Sequence, residues 1–176
     1  MGNVIEGAAL AEALAAVKAY ARIEGASEDA VLGVMTASAA ALCEAFTGQW
    51  LVARDGSETM AGEAGWRRLS ATPVNAILGV VDRDGEALPT GDYEIDIDAA
   101  GDGWVRVTNG VKTVRITFRA GIAATWTEVP EALRQGIVRL AAHLYAARDT
   151  GDGQGPPAAV TALWRPWRRM PFGRCA

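Results

Sequence analysis

The residues with the most to offer chemically lie at the end of the chain. Trp164-Arg165-Pro166-Trp167-Arg168-Arg169-Met170-Pro171-Phe172-Gly173-Arg174-Cys175-Ala176 holds four Arg, three large aromatics and no acid. The 176-residue chain has 17 basic and 21 acidic side chains, so residues 1–163 carry a net charge of −8 against +4 for this tail. Arg offers a planar fork of donors to carboxylate or phosphate, and Trp offers a large rigid surface with one polar handle. That chemistry is recognition, and both residue types concentrate at the energetic centres of interfaces. Three readings stand. Trp164, Trp167 and Phe172 fold back and complete the body's core, leaving the Arg side chains in solvent. Alternatively the tail is a small nucleic-acid-binding arm, stacking aromatics on bases and laying Arg on phosphates. In the third reading it docks into a protein partner through Trp164, Arg165, Trp167, Arg168 and Arg169. An acidic body disfavours phosphate binding, and the residue types favour the third.

Signals for catalysis are weak. His143 is the only histidine and lies beside the apolar stripe of a helix, where it reads as structural or solvent-facing. No Gly-x-Ser-x-Gly elbow accompanies it. Asp96, Asp98 and Asp102 cluster, but Ala100 interrupts the oxygen-ligand spacing of a calcium loop and no distal Glu follows. A solvated turn is the better reading. Glu44 is a lone helical acid, and neither Lys18 nor Lys112 follows a Gly-rich phosphate loop. The chain is expected to be no enzyme and to hold no metal or cofactor. Cys43 and Cys175 lack metal spacing and suit a reducing compartment without a structural disulfide.

The elements that must position the tail follow from periodicity and turn chemistry. Helices are expected over about 8–24, 27–47 and 130–148. The first shows Leu10, Leu14, Val17 and Ala21 on one face. Gly25 ends it and Ser27 caps the second, whose stripe is Val31, Val34, Met35, Leu42 and Phe46 before Gly48 stops it. Pro130 and Glu131 open the third, with Leu133, Ile137, Leu140, Ala141, Leu144 and Tyr145 inward.

Between them, residues 50–120 read as a β-rich insertion. Its runs are Trp50–Arg54, Trp66–Leu69, Ala76–Val81, Tyr93–Ile97, Trp104–Val107 and Val111–Phe118, cut by turns such as Asp55-Gly56 and Asn109-Gly110. Asn109-Gly110 predicts a hairpin between the last two runs. The class is therefore α+β: a helical bundle, an inserted small antiparallel β-sandwich or barrel, and an extended C-terminal arm. Residues 1–163 read as one domain and 164–176 as its docking tail, with Asp149–Pro157 as a hinge. No run of about 18 apolar residues stands out and the N-terminus lacks a basic region, so no membrane association is expected and the protein reads as cytoplasmic.

The order of motifs adds a resemblance. Val17-Lys18-Ala19-Tyr20-Ala21-Arg22-Ile23 precedes Glu44-Ala45-Phe46-Thr47-Gly48 and then Phe118-Arg119-Ala120-Gly121. Val129-Pro130 follows, opening a helix that ends Leu144-Tyr145-Ala146-Ala147-Arg148, and Leu163-Trp164-Arg165-Pro166-Trp167-Arg168 closes the series. This series resembles the head–tail connector (adaptor) proteins of long-tailed phages and phage-derived gene transfer agents, from about residue 10 to 168. Ala21, Gln49 and Gly136 depart from the Leu, Arg and Ala usual in that family.

The resemblance implies a structural adaptor that self-associates into a ring beneath the capsid portal and joins the DNA-filled head to the tail. It implies as partners the portal protein and a neck or tail-completion protein. Double-stranded DNA would pass through the channel without specific binding. The tail residues become portal contacts, and the protein passes from the cytoplasm into the neck of the finished particle.

Overall fold

In the computed structural model residues 5–148 and 156–169 are described. The helices are α1 (Gly7–Ala21), α2 (Asp29–Thr47), α3 (Glu131–Ala147) and α4 (Ala158–Trp164), and a 3-10 turn over Arg165–Trp167 follows the last. The strands are β1 (Arg54–Ala61), β2 (Arg67–Arg68), β3 (Val74–Val81), β4 (Tyr93–Ile97), β5 (Gly103–Val107) and β6 (Thr113–Ala120). The chain is α+β, and it divides into two compact units. One is helical, Met1–Val52 with Ala123–Ala176, and the other, Ala53–Ile122, holds the strands.

In the helical unit α1, α2 and α3 pack on one another, and α4 lies on α3. Val17 of α1, Leu32 of α2 and Leu133, Ile137 and Leu140 of α3 supply large buried side chains. Helix α2 presents the opposite face from the one its larger side chains predict. Leu32, Thr36, Ala39, Ala40, Cys43, Glu44 and Thr47 point inward, while Val31, Val34 and Leu42 are exposed. Small side chains let the α2 backbone approach its neighbours closely. The buried Thr36 and Thr47 hydroxyls are satisfied within the helix, donating to the Leu32 and Cys43 carbonyls at 2.7 and 2.8 Å.

The turn between α1 and α2 also differs from expectation. Helix α1 stops at Ala21, with Arg22 in the left-handed region at φ 55°, and Glu28 rather than Ser27 is the residue before α2. The Lys18 ammonium organises this turn, donating to the Gly25 carbonyl at 2.5 Å and pairing with Asp29 at 2.6 Å. Gly48 ends α2 in the left-handed region, φ 70°, as its position predicts. Among the described residues α2 is also the one helix long and apolar enough to cross a membrane, with mean hydropathy 1.5 over 18 residues. That amends the expectation of no such segment, although its inner face is packed and carries Glu44.

The β unit holds two three-stranded antiparallel sheets, ordered β1-β6-β3 and β2-β5-β4. Val114, Ile116, Phe118 and Ala120 of β6 are buried in alternation with Arg115, Thr117 and Arg119, the period-2 signature visible in the sequence. Val105 and Val107 of β5 are buried too. The sheets meet closely at Gly103, where an added Cβ would stand 2.9 Å from Leu69 Cδ1 and 3.0 Å from Val74 Cγ2.

Two strand expectations are corrected. Asn109-Gly110 does turn the chain, with Gly110 at φ 78°, but it joins strands of different sheets rather than a hairpin: β5 pairs with β4 and β2, β6 with β1 and β3. Apolar alternation on both flanks does not distinguish a hairpin from a crossing between two layers. The first strand begins at Arg54 instead of ending there, and Asp55-Gly56 lies inside it, paired with Arg119 and Phe118. Its pairing with β6 sets the register of this polar segment.

Candidate docking surface

The tail begins as part of the core. Pro157 precedes α4, whose Val160 and Trp164, one turn apart, are both buried. Trp164, 1% exposed, lies on α3 at Gly136, where an added Cβ would stand 2.1 Å from its indole nitrogen. The indole N–H donates to the Leu133 carbonyl at 3.3 Å, and the ring meets Phe46 of α2 at 5.9 Å between centroids, tilted by 52°. Gly136, a departure from the resembled family, thus leaves room for an indole.

Beyond Trp164 the chain turns across the C-terminal end of α2. Pro166 suits the 3-10 turn, and the Trp167 carbonyl accepts from the Gln49 amide at 2.6 Å. Arg169 N–H donates to the Thr47 carbonyl at 2.8 Å, satisfying one of the acceptors that a helix end leaves open. The Arg168 guanidinium stands 5.7 Å from the Phe46 ring centroid. Of the five residues expected at the partner surface, Trp164 is therefore buried, Trp167 and Arg169 are half-buried, and Arg165 and Arg168 are exposed. Two side chains that hold this segment, Gln49 and Phe46, carried no such signal in the sequence, since each contacts the tail only across the fold. Most of the expected hinge (149–155) and the end of the tail (170–176) lie outside the described residues.

The other candidates resolve into local roles. Glu44 is buried and its carboxylate accepts from Leu51 N–H at 2.8 Å, fixing the chain as it leaves α2. Asp98 closes a turn, accepting from the Ala100 and Asp102 N–H groups at 2.9 Å each and from the Trp104 indole at 3.1 Å. Asp102 pairs with Arg68 at 3.0 Å and accepts from Thr72 at 3.1 Å. Asp96 is exposed on β4. His143 lines an open cleft of about 400 Å³ together with Tyr20, Arg139 and Val160. No cluster of three or more metal-ligating side chains occurs among the described residues.

Burial, reinforced by the neighbouring Glu44 charge, raises the Cys43 thiol far above its usual range. Since the thiolate is the reactive form, Cys43 should resist iodoacetamide at pH 8 in the native protein and alkylate readily in denaturant. Peptide mass spectrometry would read this, and native labelling as fast as in the unfolded chain would contradict the packing around α2.

The class this fold defines is a helical unit of four described helices interrupted by two small antiparallel sheets. No protein-family model and no curated protein sequence matches the chain. Solved structures do match it. One, described as "Neck of empty GTA particle computed with C6 symmetry", is 25% identical with a TM-score of 0.73, covering 96% of this chain and 97% of that one. A chain of the "Virion of native gene transfer agent (GTA) particle" is 25% identical at TM-score 0.70, with 98% of each chain covered. A chain of the "Neck of native GTA particle computed with C12 symmetry" is 27% identical at TM-score 0.68, covering 96% and 97%. The resemblance read from motif order is met by the fold: the chain is similar from end to end to chains of gene transfer agent necks.

Proposed function

We propose that the protein is a structural component of the neck of a tailed, phage-derived particle. In this reading it is an adaptor that forms a ring beneath the portal and connects the DNA-filled head to the neck and tail. The observation that carries the proposal is end-to-end likeness, at 25–27% identity, to chains of such necks. The symmetries of the neck structures, C6 and C12, support a ring, because rotational symmetry places many copies of one chain around an axis. Its partners are the portal and a neck or tail-completion protein, with double-stranded DNA passing through without specific binding. An acidic chain, net charge −4, suits a channel wall that must not hold DNA. The exposed Arg165 and Arg168, with Trp167 and Arg169 beside them, form the surface offered to the portal, and Trp164 anchors that surface to the body.

Deleting the gene should leave filled heads without tails, and labelled protein should locate to the neck when purified particles are imaged. Normally tailed particles in the deletion strain would refute the reading.

A further inference from the structure

Helix α2 is apolar on the face that its own unit leaves uncovered. Residues 30–43 contain no Asp, Glu, Lys or Arg. Val34 is 64% exposed, Leu42 43% and Val31 40%. Ser38, Ala41 and Ala45, also exposed, fall with them at helical steps of three and four. The stripe from Val31 to Ala45 runs roughly 21 Å along the helix. Single exposed apolar residues are ordinary, but a continuous charge-free stripe marks a contact surface.

Resting on the neck reading above, we propose that this stripe is the seam between neighbouring copies of this chain in the ring. A ring sets each copy's flank against the next, and each copy brings a net charge of −4. An unpaired charge buried where water is excluded is costly, and residues 30–43 of α2 carry none, so a neighbouring copy can cover this face without leaving a charge uncompensated. Ser38, Ala41 and Ala45 keep it low enough for close approach. DNA is a poor occupant because the stripe offers no cation to phosphate. A bilayer is a poor one because interfacial helices flank their apolar face with Lys and Arg, which α2 lacks. In a ring of more than two copies the contact is heterologous, so α2 of one copy seats on a different patch of the next.

The test places the photo-cross-linker p-benzoylphenylalanine at position 34 of the full chain and irradiates assembled particles. Cross-linked bands should be multiples of this chain alone. In parallel, the Val34→Asp/Leu42→Asp variant should melt within a few degrees of the parent yet enter particles at least tenfold less. If the chain is present in particles but position 34 cross-links to a different protein or to nothing, or if the double variant is incorporated normally, the seam lies elsewhere and only this inference falls. Co-flotation of the purified chain with phosphatidylglycerol vesicles, lost in the double variant, would also overturn it in favour of a membrane. If the chain is absent from particles, the neck reading itself falls and carries the seam with it.

Discussion

Replacing Gly136 with Ala should destabilise this protein, although an ordinary helix gains from the same change. In a solvent-facing helix interior, Gly→Ala contributes up to about 1 kcal/mol of stability. Here the new Cβ would stand 2.1 Å from Trp164 Nε1, 2.7 Å from Cε2 and 2.8 Å from Cδ1. Those atoms belong to a rigid ring that is 1% exposed, so the clash is not relieved by swinging a flexible side chain. Either α4 lifts from α3 or α3 bends. Truncating a buried Trp costs about 3–5 kcal/mol, which bounds the loss if the indole is expelled. At about 2–4 °C per kcal/mol for a chain of this length, the melting temperature should fall by roughly 10 °C, and by more for Gly136→Leu. The double variant Gly136→Ala/Trp164→Ala gives the sharper measurement. With the indole gone the added methyl has room, so Gly136→Ala should turn neutral or stabilising in the Trp164→Ala background, a coupling expected only for residues in direct contact. Thermal melts of the four proteins, followed by circular dichroism, decide it. Stabilisation by Gly136→Ala alone would show that Trp164 does not occupy the space against α3.

That contact also marks how far the sequence could be read. The positions of α1, α2 and α3 and the β-rich middle follow from periodicity and turn residues, because each signal lies within a few residues of what it specifies. The tail stood out by composition for the same reason. The buried face of α2 was not legible: between Asp29 and Glu44 every residue is apolar or small, so amphipathicity gives no direction, and shape, supplied by Ala39, Ala40 and Cys43, decides which side packs. Nor was β1 legible, since Asp55-Gly56 has turn chemistry and is held extended by its ladder to β6. For the tail, the relevant facts are long-range. Burial of Trp164 depends on the missing side chain at Gly136, and the path of Arg169 depends on an open carbonyl at Thr47. Gly136 stands in the sequence only as a departure from the Ala usual in the resembled family. Once the indole is seen above it, the departure becomes the condition for docking α4.

The second large effect concerns what that anchored segment presents. The variant Arg165→Glu/Arg168→Glu should leave the body folded and abolish the joining of heads to tails. Both side chains are exposed. Arg168 has a ring contact, above Phe46, and an exposed cation–π contact contributes about 0.5–1 kcal/mol, so the melting temperature should fall by a few degrees. Binding is affected far more. Removing one partner of a desolvated interfacial charge pair costs about 2–5 kcal/mol, and reversal adds repulsion. A ring repeats that loss in every copy, and simultaneous contacts multiply. Tailed particles, counted by negative-stain microscopy, should therefore drop at least a hundredfold while filled heads accumulate. Two truncations separate docking from folding. Ending the chain after Arg169 keeps Trp164 and the Thr47 contact. Ending it after Leu163 removes the indole from the core and should cost as much as Trp164→Ala. Normal numbers of tailed particles from the charge-reversed protein would show that Arg165 and Arg168 are not the portal contact. The same variant also tests the nucleic-acid alternative: DNA binding by the parent at low salt, lost on reversal while tails still join, would favour that reading.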